Sequence, residues 1–207
     1  MQRKFAVCYN TDMPKLVDHS ERKSHIAEAT WRVILKEGMK GATVRKIAQE
    51  AGVSLGALRH YFTTQHELLA FAMKLVSDRA NARIRDVMAL GLPPKELVTR
   101  VLMELLPLDE NSMAEMEVWF AFVFHHKYAG EDYGGLNDGI YPGIVNLLGH
   151  LKKEGLLREE LDMDIEAERL YALLDGLALH ALLEPKRLDR ERILRVLHSH
   201  MDSICRE

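Results

Sequence analysis

The chain has 207 residues, 47% of them hydrophobic and 29% charged, and a net charge of −3 at neutral pH. That length buries a sizeable core in one or two domains, and no apolar run reaches the roughly 18 residues that cross a membrane, which points to a cytoplasmic protein with no membrane partner. The small overall charge argues against a protein that coats nucleic acid, and the two cysteines, Cys8 and Cys205, lie at opposite ends without metal-ligand spacing.

Residues 1–17 read as an N-terminal extension without helical periodicity. Three readings of it stand: it is a disordered extension, translation begins at Met13, or Arg3 and Lys4 form a basic arm that touches DNA. The first helix is capped by Asp18 or Ser20 and carries Ile26, Ala29, Val33 and Ile34 on its inner face until Gly38 ends it. Thr43 then caps a second helix to about Glu50, with Val44, Ile47 and Ala48 inward. Gly52 supplies a left-handed turn, and Ser54 caps a third helix from Leu55 to about Phe62. Small Ala48 lets these two helices approach, Val53 and Leu58 point inward, and Leu55, Gly56, Arg59 and His60 are left outside. This is a helix-turn-helix, and residues 18–64 form a three-helix head. Between Met13 and Phe62, nine basic residues stand against five acidic ones, so the head is basic and the remainder acidic.

Residues 65–207 read as a helical body. A long helix from Gln65 to Leu90 leaves the head and stops at Gly91-Leu92-Pro93-Pro94. A fifth helix follows over Lys95–Leu106, and a sixth over Met113–Tyr128, apolar on nearly every side, which makes it either deeply buried or the lining of a cavity. Gly130, Gly134, Gly135 and Gly139 mark a flexible connection. Helices over Ile144–Glu154, Ile165–Leu183 (capped by Asp164) and Arg190–Ile204 complete an all-α chain with no strand signal.

The order and spacing of Thr43-x-Arg45-x-Ile47-Ala48, Ala51-Gly52-Val53-Ser54, Tyr61-Phe62 and Glu67-Leu68 resemble the DNA-binding domain of the TetR/AcrR family over about residues 20–69. The body carries a narrower resemblance to the BetI-type subgroup, through Leu105-Leu106-Pro107-Leu108-Asp109-Glu110, Trp119-Phe120-Ala121-Phe122 and Leu173-Leu174-Asp175-Gly176-Leu177-Ala178-Leu179. The resemblance implies a repressor released from a palindromic double-stranded DNA operator by a small-molecule effector, acting as a homodimer, with no enzymatic activity. It implies DNA contacts by Thr43 and Tyr61 to phosphates, by Arg45 to a base edge or a phosphate, by Leu55, Gly56 and Ala57 on the groove floor, and by Arg59 and His60 to bases or flanking phosphates. Gln65 stands where the family commonly places a phosphate-binding lysine, so that contact is weakened or lost.

Two body sites are expected. Trp119, Phe122, Val123 and His126 share a face of the sixth helix at i, i+3, i+4 and i+7, and with Tyr171 and Asp175 they make an apolar effector pocket with a few polar groups, or else a solid core in which Asp175 is simply hydrogen-bonded. An aromatic-flanked carboxylate suits a cationic or amphipathic organic ligand. Leu173, Leu177, His180 and Ala181 with Ile193, Leu197, His200 and Met201 form apolar stripes on the last two helices. These either build a four-helix dimer interface or bury within one chain. Metal and catalytic sites are not expected: His125-His126 and His198/His200 lack the i, i+4 geometry of a helical zinc site, no nucleophile triad or phosphate loop stands out, and no cofactor is implied. The competing class is a helical binding or enzymatic protein whose hairpin is only structural, distinguished by whether it binds DNA in a salt-dependent way.

Overall fold

A computed structural model describes residues 19–129 and 139–206 of the chain. The N-terminal extension with Cys8, the Met13 start, and Gly130, Gly134 and Gly135 lie outside the described residues, as does the side chain of His126. Among the described residues there are nine helices, which bears out the all-α expectation. The head consists of α1 (His19–Gly41), α2 (Val44–Glu50) and α3 (Leu55–Tyr61). The body follows as α4 (Gln65–Met88), α5 (Pro94–Met103), α6 (Glu110–Ala129), α7 (Ile140–Lys153), α8 (Met163–Leu183) and α9 (Arg190–Ile204).

The boundaries follow local chemistry. Gly38 leaves helical geometry at φ 70°, ψ 175°, so the regular part of α1 stops where the glycine permits it. In α5 the helix ends three residues short of the expected Leu106, because Leu105 and Leu106 donate to the carbonyls of Leu102 and Met103 in tightened turns. That turn drives Leu106 into the core. α6 begins three residues earlier than expected: Asp109 Oδ1 accepts from the backbone N–H of Asn111 and Ser112, both at 2.9 Å. Its carboxyl is held below the ordinary range, chiefly by the bond from the Ser112 backbone. α7 takes Pro142 into its first turn, where a missing N–H costs nothing. Asp162, not Asp164, caps α8, accepting from Asp164 N at 3.1 Å and Ile165 N at 3.3 Å.

The side chains bury in two cores. The first gathers Ile26, Val33 and Ile34 of α1, Ile47, Leu58 and Phe62 of the hairpin, Leu68 and Ala72 of α4, and Val118 and Phe122 of α6. The head's core therefore continues into the body, through the first half of α4 and the middle of α6. The second core joins Leu102 and Leu106 of the α5 region to Ile144, Leu148 and Leu151 of α7, Leu170 and Leu174 of α8, and Leu197 of α9. No helix among the described residues is long and apolar enough to cross a membrane.

The second core corrects the expected dimer stripes. Leu177, Ala181, Ile193, Leu197 and Met201 are buried in it, and Leu173 packs against it, so these six side chains fill the chain's own interior. His200 is also turned inward: its Nε2 lies 3.1 Å from Oε1 of buried Glu166, without hydrogen-bond alignment. Of the eight, only His180 is exposed, within ion-pair reach of Glu184 at 3.4 Å. α8 and α9 need this side to cover α5 and α7, and it is not available to a partner.

Candidate DNA interface and effector cavity

The hairpin is held by three side-chain caps and one glycine. Thr43 accepts from Lys46 N at 3.4 Å, Ser54 from Ala57 N at 3.0 Å and Thr64 from Glu67 N at 3.0 Å, so each of the three helices starts where its N-cap fixes it. Gly52 takes φ 65°, and Val53 N returns to the Ala48 carbonyl at 3.0 Å, which closes the turn. Glu50 anchors the end of α2 to α1 through Arg32 (2.7 Å) and Lys36 (3.2 Å), and these bonds hold its carboxyl below the usual range.

With that frame fixed, Thr43, Arg45, Gly56, Ala57, Arg59 and His60 are exposed, and Leu55 and Tyr61 are half-buried. All eight expected DNA-contact residues thus remain accessible, while Ile47, Leu58 and Phe62 are interior. Lys46 is paired with Glu37, but Arg45 and Arg59 form no ion pair among the described residues, which leaves their charge for a phosphate or base edge. Gln65 turns back on the protein and donates to the Ala42 carbonyl at 2.9 Å, tying α4 to the segment before α2. One neighbour of the interface was not expected from sequence: the His19 ring lies 4.7 Å from the Tyr61 ring and 6.1 Å from that of His60. Only the packing of α1 on α3 joins residues so far apart in the chain.

A cavity of about 610 Å³ opens in the body between α4, α5, α6, α7 and α8. Its size is that of a site for a small organic molecule. Of the six expected lining residues, Trp119 and Asp175 line it. Phe122 does not, being buried in the head-side core beside Val118, and Val123 lies off the lining. Tyr171 packs its ring 5.8 Å from Tyr141 and against the second core. The face of α6 that reaches the cavity carries Ser112, Glu115, Met116, Trp119 and Phe120, a stripe displaced around the helix from the expected one. Because α6 is apolar on nearly every side, periodicity does not say which side meets α1 and which meets the cavity. The sequence reading also missed the polar groups on the opposite wall, Arg83 of α4 and Glu104 after α5. Arg83 Nε binds Glu104 Oε2 at 3.1 Å and its NH1 binds Glu115 Oε2 at 3.0 Å. No cluster of three or more metal-ligating residues occurs among the described residues.

A trihelical head with an accessible recognition helix, joined by one long helix to a hollow helical body, defines a helix-turn-helix DNA-binding regulator. The comparisons agree. Residues 26–72 match the profile of the bacterial regulatory proteins of the tetR family, and residues 94–206 match that of the BetI-type transcriptional repressor C-terminal domain. The chain belongs to the TetR family of transcriptional regulators and is not an enzyme. It is 54% identical to the HTH-type transcriptional regulator PksA of Bacillus subtilis strain 168, over 94% of this chain and 95% of that one. It is 32% identical to the HTH-type transcriptional regulator BetI of Escherichia coli K12, over 87% of this chain and 92% of the relative. Among solved structures it resembles a transcriptional regulator from Rhodococcus sp. Rha1, with 31% identity and a TM-score of 0.74, over 88% of this chain and 95% of that one.

Proposed function

We propose that this regulator is a cytoplasmic homodimeric repressor that binds a palindromic operator through α2 and α3 and leaves it when a small amphipathic organic molecule occupies the body cavity. The observation that carries the reading is the double membership of α4 and α6: both contribute to the head's core and both line the cavity. α4 has 24 residues, about 36 Å at 1.5 Å per residue, so a small tilt at its cavity end displaces the head. The ligand lowers operator affinity only by the difference in its binding to the two poses. Arg45 meets a base edge or a phosphate, Leu55, Gly56 and Ala57 face the groove floor, Arg59 and His60 reach bases or flanking phosphates, and Thr43 and Tyr61 hold phosphates.

The test pairs a mobility shift on the DNA upstream of the protein's own gene with a thermal-shift screen of organic ligands. Wild type binds that DNA with an affinity that falls steeply with salt, and a ligand that raises the melting temperature weakens the complex. Trp119→Ala loses the ligand's thermal shift while keeping DNA binding. Ligands that bind Trp119→Ala unchanged, or that bind without altering operator affinity, would show that the cavity is not the effector site.

A further inference from the structure

Arg79 lies one turn before Arg83 on α4, and the two guanidiniums share one carboxylate. Glu115 of α6, with 8% of its side chain exposed, binds Arg83 NH1 through Oε2 at 3.0 Å, and its Oε1 lies 3.8 Å from Arg79 NH1. On the cavity side Arg83 also holds Glu104. On the head side Arg79 pairs with Glu28 of α1 and places its guanidinium carbon 4.7 Å from the centroid of the Trp31 ring, also of α1. Trp31 is itself fixed, its Nε1 donating to the Ala72 carbonyl at 3.0 Å. One unbroken ladder of charge thus runs from Glu104 through Arg83, Glu115 and Arg79 to Glu28 and Trp31. Its first three members line the cavity. Its last two belong to the helix that carries Arg32 and Lys36, the anchors of α2.

Such a ladder is an expensive way to hold helices together. A carboxylate buried this far loses hydration, and well-packed apolar side chains would stabilise the same junction at least as well. What the charges add is competition. Glu115 serves two arginines at once, in a setting where the interaction is less screened than at the surface, so a change on one side of it alters what it offers the other.

We infer that Arg79 and Glu115 are positioning residues that transmit the state of the cavity wall to α1, and so to the DNA-binding hairpin. The inference rests on the reading of the cavity as an effector site. A ligand that donates hydrogen bonds to Glu104 or Glu115 draws Glu115 toward or away from Arg79, and α1 follows its ion pair and its stacked indole. The effect needs no ligand to be seen, because a substitution on the cavity wall perturbs the same ladder. Glu104 and Arg79 have 29% and 40% of their side chains exposed, so both tolerate a neutral replacement without a buried void.

The experiment measures the operator dissociation constant by fluorescence anisotropy for wild type, Glu104→Gln, Arg79→Gln and the double variant, with melting temperatures recorded alongside. Arg100→Gln, which removes an exposed body arginine paired among the described residues only with Glu96, is the control. Glu104→Gln is expected to change the operator constant by at least about threefold, and to change it by less than about twofold when Arg79 is already glutamine. Arg100→Gln leaves it within about twofold of wild type. Should Arg79→Gln fail to fold, Arg79→Met takes its place: it keeps an apolar stem against Trp31, removes the charge and is expected to block most of the transmission. A Glu104→Gln variant that binds like wild type, or an effect that persists undiminished without Arg79, overturns the ladder and leaves the regulator reading standing. If wild type binds no DNA from its own upstream region, the operator reading proposed above falls, and the ladder's role with it.

Discussion

At the scale of single residues, Gly56 is the most informative member of the recognition helix. A Cβ built there meets only Ser54 Oγ, at 3.9 Å, and the position is exposed, so nothing inside the protein requires a glycine. Glycine in a helix costs up to about 1 kcal/mol relative to alanine, and the proposed groove-floor contact accounts for keeping it. Gly56→Ala is therefore expected to raise the stability of the head, by up to about 1 kcal/mol in denaturant unfolding, and at the same time to weaken operator binding. A variant that gains stability and keeps full affinity would remove Gly56 from the interface. In the proposed interface, Arg45 and Tyr61 are expected to act differently from it and from each other. Arg45→Ala should cost roughly 1–3 kcal/mol of operator affinity and relax specificity at one position per half-site. Tyr61→Phe should weaken all DNA sequences about equally, because a phenol hydroxyl on a phosphate carries no sequence information. Competition binding against a set of single-base operator variants separates the two patterns.

At the scale of elements, α8 and α9 meet over the buried pair Glu166 and His200, whose behaviour with pH is predictable. Glu166 is buried, one of its oxygens takes Arg169 NH1 at 2.8 Å, and the other faces His200. Burial pushes the His200 imidazole below its ordinary value of 6.5; Glu166 pulls it up and Arg169 adds to the lowering. A histidine whose pKa is depressed by folding supports the fold fully above its unfolded pKa. That support is lost as pH falls below about 6.5, because the unfolded chain takes the proton more readily. The melting temperature should therefore drop between pH 7 and pH 5, and His200→Gln should flatten part of that drop; an identical pH profile in the variant would remove His200 as the cause. The same contact shows where sequence reading succeeds and where it stops. Caps and a glycine placed α2 and α3 within a residue or two, because Thr43, Ser54 and Gly52 act through their own backbone neighbourhood. The hairpin's accessible face was legible for the same reason. The cavity was only partly so: Trp119 and Asp175 were found, while Arg83 and Glu104 are recognisable only once α4 and the end of α5 are seen to face α6. His200 looked like interface because its helix is amphipathic, and periodicity marks a buried side without naming what buries it.

At the scale of the whole molecule, the proposed homodimer needs a surface other than the stripes first expected to carry it, since those fill the chain's own core. The outer side of α8 offers an alternative, roughly a third of the helix circumference away. Ile165, Ala172, Gly176, Leu179 and Leu183 lie at i, i+7, i+11, i+14 and i+18, a single line along the helix. Ile165 is 58% and Leu183 65% exposed, an unusual display for large apolar side chains at both ends of one helix. Between them, a Cβ at Gly176 would meet nothing within 4 Å, so the backbone there is open to close approach by another helix. In the proposed homodimer, two chains related by a two-fold axis would bury this line against its own copy. Wild type is expected to sediment as a dimer at micromolar concentration, and Leu183→Glu or Ile165→Glu as a monomer whose melting is little changed, because neither side chain belongs to the intramolecular core. Such a dimer would set two recognition helices a fixed distance apart, and the operator should be a palindrome with half-site centres about 34–36 Å apart or a multiple of that. The monomeric variants then hold one half-site at a time and lose most operator affinity, although every DNA-contacting residue is intact. A wild-type protein that sediments as a monomer, or a footprint without two-fold symmetry, would show that the α8 stripe has some other use.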